Sequence, residues 1–282
     1  MHLLLENERS FFWAASVFYC FAFFLASCSL SKNRKYSRLI LLTFIPSAFL
    51  LQSIGLYFRG LETGSCPLNN PFEIVQFITW TIILLYIVIG PTFRMSLLGF
   101  FSAGLVAGLS LLSLLIPQWD QPSNLLSRNS WAEVHASTAL FSYGVFGLLS
   151  LTSMMYLIQN YGLKNKRFQG LSPFLPSIVQ LDKMNNRLLF IGTVILGISM
   201  GIGLTPWLIH DGQQHIPNLK LIAAVLVWGA YSLVLILRWN NLLLSRKFAW
   251  ACLLLFTGAL ISLWPIETNH SLPKAPSTCL PH

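Results

Sequence analysis

WAEVHASTALFSYGVFGLLSLTSMMYLIQ, residues 131–159, decides how the rest of the chain is read. It carries one histidine, His135, near its start, and is otherwise apolar over a length that spans the roughly 30 Å hydrocarbon core of a bilayer as a helix. At about 100° per residue, His135, Thr138, Ser142, Ser150, Ser153 and Tyr156 fall within about 60° of one line down that helix. The opposite side is Leu, Val, Phe, Ala and Gly. A stripe of hydroxyls headed by an imidazole has to face other helices or a ligand, because polar groups turned toward lipid tails go unpaired. His135 is therefore the first candidate for chemistry.

Composition sets the class. Hydrophobic residues make up 55% of the 282 and charged residues only 10%, where a soluble globular domain has about a quarter charged. The chain reads as an all-α polytopic membrane protein. Its formal net charge of +9 does not indicate nucleic acid, since the basic residues form short clusters between apolar stretches of about 20 residues and act as orientation signals. The five cysteines make no CxxC pair and no zinc spacing. Cys20, Cys28 and Cys252 read as packing residues within spans, and Cys66 and Cys279 as thiols outside them.

Eight spans are expected, at 11–30, 39–58, 72–89, 95–116, 131–159, 188–208, 219–237 and 248–265. The first follows a polar start that lacks the basic opening and cleavage site of a signal peptide. The second holds Pro46 and Gln52, a combination expected to bend it within the bundle. Between spans five and six lies the longest connection, 160–187, read as a basic loop that includes a surface-lying helix. Gly197 and Gly201 in the sixth span have the GxxxG spacing of close helix approach. With both termini outside, inner segments hold 13 of the 18 Lys and Arg, and outer segments 8 of the 9 acids and all six histidines. That asymmetry is what the positive-inside rule requires. Residues 1–265 form one transmembrane domain and 266–282 a polar outer tail.

Three segments then carry a resemblance. CPLNNPFEIVQFITW, with Pro67, Leu68, Asn69, Glu73, Phe77 and Trp80, is similar to the PLSNLYESLIFLSW type of segment in CcsA-type cytochrome c assembly proteins. WAEVHASTALFSYGVF resembles the family's WLxMHVSMMxLSYAAL at Trp131, His135, Ser137, Leu140, Ser142 and Tyr143. LDKMNNRLLFIGTVILGISMGI, beginning at Leu181 and Asp182, resembles LDxLSYRxIxIGFPLLTIGILSGA. The likeness covers about residues 55–265 in one order. It implies a helical bundle in the bacterial cytoplasmic membrane that delivers haem, as haem b, on the outer side for attachment to apocytochrome c together with other cytochrome c biogenesis proteins. It implies that His135 is an outer axial ligand of the haem iron, with a second outer histidine near the last span as its partner. His270 occupies that place, and His210 and His215 are loop alternatives.

Two departures matter. The tryptophan-rich WxWDPKETW loop that follows the sixth helix in full CcsA proteins is replaced by TPWLIHDGQQHIPNLK, which keeps only Trp207. The next span ends in VLILRW and lacks the family's in-membrane histidine. In both respects the chain is more similar to the shorter HemX/YpjD-like branch.

The remaining candidates carry two readings each. Trp131 and Trp207, with Trp80, Trp119, Trp228 and Trp264, suit either porphyrin stacking or, for those at span ends, an interfacial aromatic belt. Arg59 and Arg128 suit haem propionates or lipid headgroups. Met200 could bind iron or simply pack. Glu73 and Glu133 sit where helix N-termini favour carboxylates. The expected function is haem handling in cytochrome c maturation, without enzymatic activity, since no Ser/His/Asp set, phosphate loop or HExxH is present. The alternative is a HemX-like regulatory or scaffolding protein acting on a partner through 160–187. A transporter is disfavoured by the lack of an inverted repeat or intramembrane ion pair.

Overall fold

The computed structural model describes residues 8–31, 38–90, 96–120, 130–165, 176–209 and 218–263. These form eight α-helices, α1 Glu8–Ser31, α2 Arg38–Thr63, α3 Pro71–Ile89, α4 Ser96–Leu115, α5 Ser130–Asn165, α6 Ile178–Ile209, α7 Asn218–Trp239 and α8 Ser245–Ser262. No strand occurs among the described residues. The first seven are long and apolar enough to cross a membrane. α8 opens with Ser245, Arg246 and Lys247, which dilute an otherwise apolar helix.

Helix ends depart from the hydropathy reading most between the fifth and sixth helices. α5 runs on to Asn165 and α6 begins at Ile178, so both ends of the expected 160–187 loop are helix continuous with the spans, and the expected surface-lying helix, where it falls on 166–175, lies outside the described residues. Hydropathy falls at Asp182, Asn185, Asn186 and Arg187, but helical packing does not. Leu181, Met184, Leu188 and Leu189 keep their apolar spacing and are buried, and Asp182 and Asn186 are engaged by Arg238 of α7. α2 passes through Pro46 without interruption and ends just before Gly64, whose φ of 62° turns the chain.

α5 is the central helix. Of its apolar window 78% is buried, against 11–56% for the other six spans. It packs most extensively on α6, then on α8 and α3, while α1, α2, α3 and α4 form a second group of mutually packed helices. The hydroxyl stripe faces inward as expected, with Ser142, Ser150, Ser153 and Tyr156 all buried. α7 packs mainly on α6 and α8 and is the least enclosed.

Hydrocarbon solvent supplies no hydrophobic drive between helices, so close packing and interhelical hydrogen bonds hold the bundle. Small residues provide the first. A methyl group on Gly192 would stand 2.5 Å from the Phe146 ring, and one on Gly144 would stand 2.4 Å from Thr81 Cγ2. The expected GxxxG seam is different. Gly197 faces Trp228 of α7 at 3.1 Å, and Gly201 meets nothing within 4 Å, so neither brings α6 onto α5. Gly144→Ala is expected to cost about 1–3 kcal/mol by overpacking the α3–α5 seam. A double-mutant cycle with Thr81→Gly should show coupling of roughly 1 kcal/mol or more, measured from unfolding midpoints. Additive losses would place the contact elsewhere.

The second contribution is a polar network inside α1–α4. Tyr19 Oη donates to Gln52 Oε1 at 2.9 Å, and Gln52 Nε2 donates to Gln76 Oε1 and Thr79 Oγ1, each at 2.9 Å. Gln76 Nε2 donates to Ser110 Oγ at 3.0 Å and Ser113 Oγ at 2.9 Å. Ser110 and Ser16 hydroxyls lie 2.6 Å apart. Each link contributes on the order of 0.6 kcal/mol in a membrane interior, and together they select one register among apolar helices.

Candidate functional site

His135 sits in the second turn of α5, half-buried against the last turns of α6. Its Nδ1 lies 2.7 Å from the Ser199 carbonyl oxygen and 3.2 Å from Ser199 Oγ, and Ser199 Oγ donates to the His135 carbonyl at 2.9 Å. Gly203, one turn further along α6, leaves the space the ring fills. A methyl group there would stand 2.7 Å from Nδ1 and 2.8 Å from Cε1. Among the described residues Nε2 meets no hydrogen-bond partner. One nitrogen is thus anchored on the bundle and the other is available.

The helix ends around this site form one rim. The 64–70 connection reaches it, since burial raises the Cys66 thiol above its usual range and the Glu133 and Glu73 carboxylates raise it further. Trp131 is exposed at the mouth of α5. Trp207 falls in the last turn of α6 with its side chain outside the described residues, and His210, His215, His270, Arg128 and Trp264 lie outside them as well. Cys279 lies outside them too.

Arg59 takes neither of its expected roles. Its guanidinium pairs with Glu8, with Glu73 Oε1 at 2.8 Å and with Asp120 Oδ1 at 2.5 Å. Arg9 adds a contact to Asp120 at 3.5 Å. Three carboxylates from α1, α3 and the 3-10 turn Pro117–Asp120 thus engage a cation from α2. Asn70 caps α3, with Glu73 in its first turn, where a helix N-terminus favours a carboxylate. Asn70 Oδ1 accepts from the Glu73 amide at 2.8 Å, and Glu73 Oε2 accepts from the Asn69 amide at 2.7 Å. Trp80 is also committed, donating to Ser53 Oγ at 2.8 Å and stacking on Phe49. Trp228 donates to the Thr193 carbonyl at 3.3 Å.

The opposite rim has its own clamp. Arg238 at the end of α7 reaches Asp182 Oδ2 at 2.5 Å, Asn186 Oδ1 at 3.0 Å and the Leu243 carbonyl at 2.9 Å, with its guanidinium 5.0 Å over the Phe248 ring. α6, α7 and α8 are tied there. The two rims confirm alternating helix directions, because each clamp joins helix ends that strict up-and-down order places together.

Ser199 and Gly203 were not singled out as site residues by sequence. Their only visible signal was the run of small residues in α6, which does not say which neighbour they face.

A bundle of helices this long and apolar defines an integral membrane protein. The particular family follows from comparison. The chain belongs to the cytochrome c assembly protein family, whose model, described as "Cytochrome C assembly protein", matches residues 68–265. It is 30% identical over 233 residues to the protein HemX of Brevibacillus brevis, covering 82% of this chain and 83% of that one. It is 26% identical over 230 residues to HemX of Bacillus subtilis, covering 80% of each. To the cytochrome c biogenesis protein CcsA of Prochlorococcus marinus it is 28% identical over 124 residues, 41% of this chain and 38% of that one.

Proposed function

We propose that this protein handles haem in support of cytochrome c maturation, binding haem b at the His135 rim. The observation that carries the reading is the anchored imidazole. Nδ1 is engaged on α6 while Nε2 is unpartnered among the described residues, the arrangement in which a histidine is ready to ligate iron. Membership of the cytochrome c assembly family supports it, as does partial similarity to a protein named for cytochrome c biogenesis.

In this reading His135 would hold the haem iron, with His270 as the preferred second ligand and His215 and His210 as alternatives, and Trp131 and Trp207 would offer aromatic faces to the porphyrin. Bound haem supplies the iron porphyrin that is to be attached to apocytochrome c. The chain's own residues hold and orient it, partner proteins supply reduced apocytochrome c, and in this reading the protein is not itself an enzyme. The distribution of basic residues supports a place in the bacterial cytoplasmic membrane with the His135 rim outside.

A pyridine haemochrome assay on detergent-purified protein, expressed with ample haem precursor, is expected to give stoichiometric haem. Colourless protein under those conditions overturns the reading.

A second reading has an observation in its favour. The relatives matched over 80–83% of their length are named HemX, whereas the CcsA match covers 38% of that protein. A regulatory or scaffolding role through the basic segment around Lys164, Lys166, Arg167, Lys183 and Arg187 follows from that branch. Charge reversal of those residues that abolishes partner capture and phenotype, with His135 variants silent, would establish it over haem handling.

A further inference from the structure

Resting on His135 as the iron ligand, we infer that Ser199 and Gly203 of α6 are positioning residues that fix the tautomer and aim of the His135 ring. A carbonyl oxygen can only accept, so the 2.7 Å contact from the Ser199 carbonyl requires the proton on Nδ1. The hydroxyl of Ser199, 3.2 Å from the same nitrogen, would serve either tautomer if its hydrogen were free. That hydrogen is committed to the His135 carbonyl at 2.9 Å, so toward the ring Oγ is an acceptor as well. Both groups therefore call for the proton at the same place. A neutral imidazole protonated on Nδ1 has its lone pair on Nε2, the nitrogen left without a partner among the described residues.

Gly203 decides whether the ring can reach these acceptors. A methyl group on residue 203 would stand 2.7 Å from Nδ1, 2.8 Å from Cε1 and 3.3 Å from Cγ. An imidazole is flat and stiff and has no flexible end to fold away, so it must swing off the Ser199 carbonyl. The principal acceptor is a backbone atom and survives any substitution at 199. Position 203 is therefore the stronger lever, although its side chain is absent.

The tautomer is read directly by nitrogen NMR of the haem-free protein, labelled with 15N-histidine, in detergent near pH 8, where a free imidazole is neutral. The His135 signals are identified by their loss in His135→Asn. Wild type is expected to carry its proton on Nδ1, and Ser199→Ala to keep that tautomer with haem affinity within a few-fold. Gly203→Ala is expected to give mixed tautomers and to weaken haem by roughly 10- to 100-fold, with little change in unfolding midpoint. A plain helix-packing role would move the midpoint and leave the tautomer alone. A wild-type proton on Nε2, or a wild-type tautomer in Gly203→Ala, overturns the assignment. The wild-type spectrum decides the Nδ1 tautomer even where Gly203→Ala does not accumulate. Because it is recorded without haem, a colourless protein with the Nδ1 proton defeats the haem reading and leaves the tautomer assignment standing.

Discussion

His135→Ala is expected to remove the haem spectrum of the purified protein while leaving its unfolding midpoint nearly in place. The structural cost is small. The substitution deletes the hydrogen bond from Nδ1 to Ser199, worth about 0.5–1.5 kcal/mol net. It orphans nothing expensive, because the Ser199 carbonyl lies inside α6 and keeps its helical partner. Ser199 Oγ retains the backbone carbonyl of residue 135. The functional cost is large, since a ligand to the iron is lost outright, and binding should weaken by more than the roughly 10- to 100-fold that loss of a supporting contact alone produces. His135→Gly, which leaves a ring-shaped gap beside Gly203, should regain part of the spectrum with added imidazole. The absorption spectrum and the pyridine haemochrome yield check both variants. Haem retained at wild-type level in His135→Ala would exclude this histidine as the ligand.

How much of this was legible in the sequence varies with the range of the interaction. The eight helices and the inward hydroxyl stripe of α5 follow from local pattern, since an apolar period of 3.6 and the polar line through Ser142 and Ser153 are properties of one segment. The prolongation of α5 and α6 was not legible. Hydropathy records where lipid contact ends, and helix continues past that point wherever Leu181 or Met184 still packs. The ion cluster escaped for a different reason. Glu8, Arg59, Glu73 and Asp120 are dispersed along the chain, and each alone has an adequate local explanation as a cap or a snorkelling group. Only the bundle brings them to one rim. Ser199 and Gly203 share that difficulty. The sequence marks α6 as rich in small residues, but the rotational register of α6 against α5 decides which of them meets His135.

Arg59→Met is expected to be among the most destabilising single substitutions in the chain, at about 3–5 kcal/mol, although methionine is the more apolar residue. The native guanidinium serves three carboxylates, and Glu73 is only 2% exposed. Removing it leaves Glu8, Glu73 and Asp120 converging on an empty position, with Arg9 held by Asp120 and the Leu114 carbonyl. The cost is therefore the desolvation of uncompensated carboxylates and their mutual repulsion, more than the loss of the bonds themselves. Arg59→Lys should fall between, because one ammonium on a flexible stem cannot match a planar fork that engages three partners at once. Adding Glu73→Gln to Arg59→Met should recover part of the loss. It deletes a charge while keeping an oxygen for the Asn69 amide, so the two changes should be non-additive. With the other four cysteines replaced by serine, fully buried Cys252 supplies the reporter, since its reaction with a thiol-specific fluorophore on heating tracks opening of the bundle in detergent. An unchanged midpoint in Arg59→Met would mean that the rim is hydrated enough to screen its acids, and that close packing and the Gln52 and Gln76 network hold α1, α2 and α3 without it.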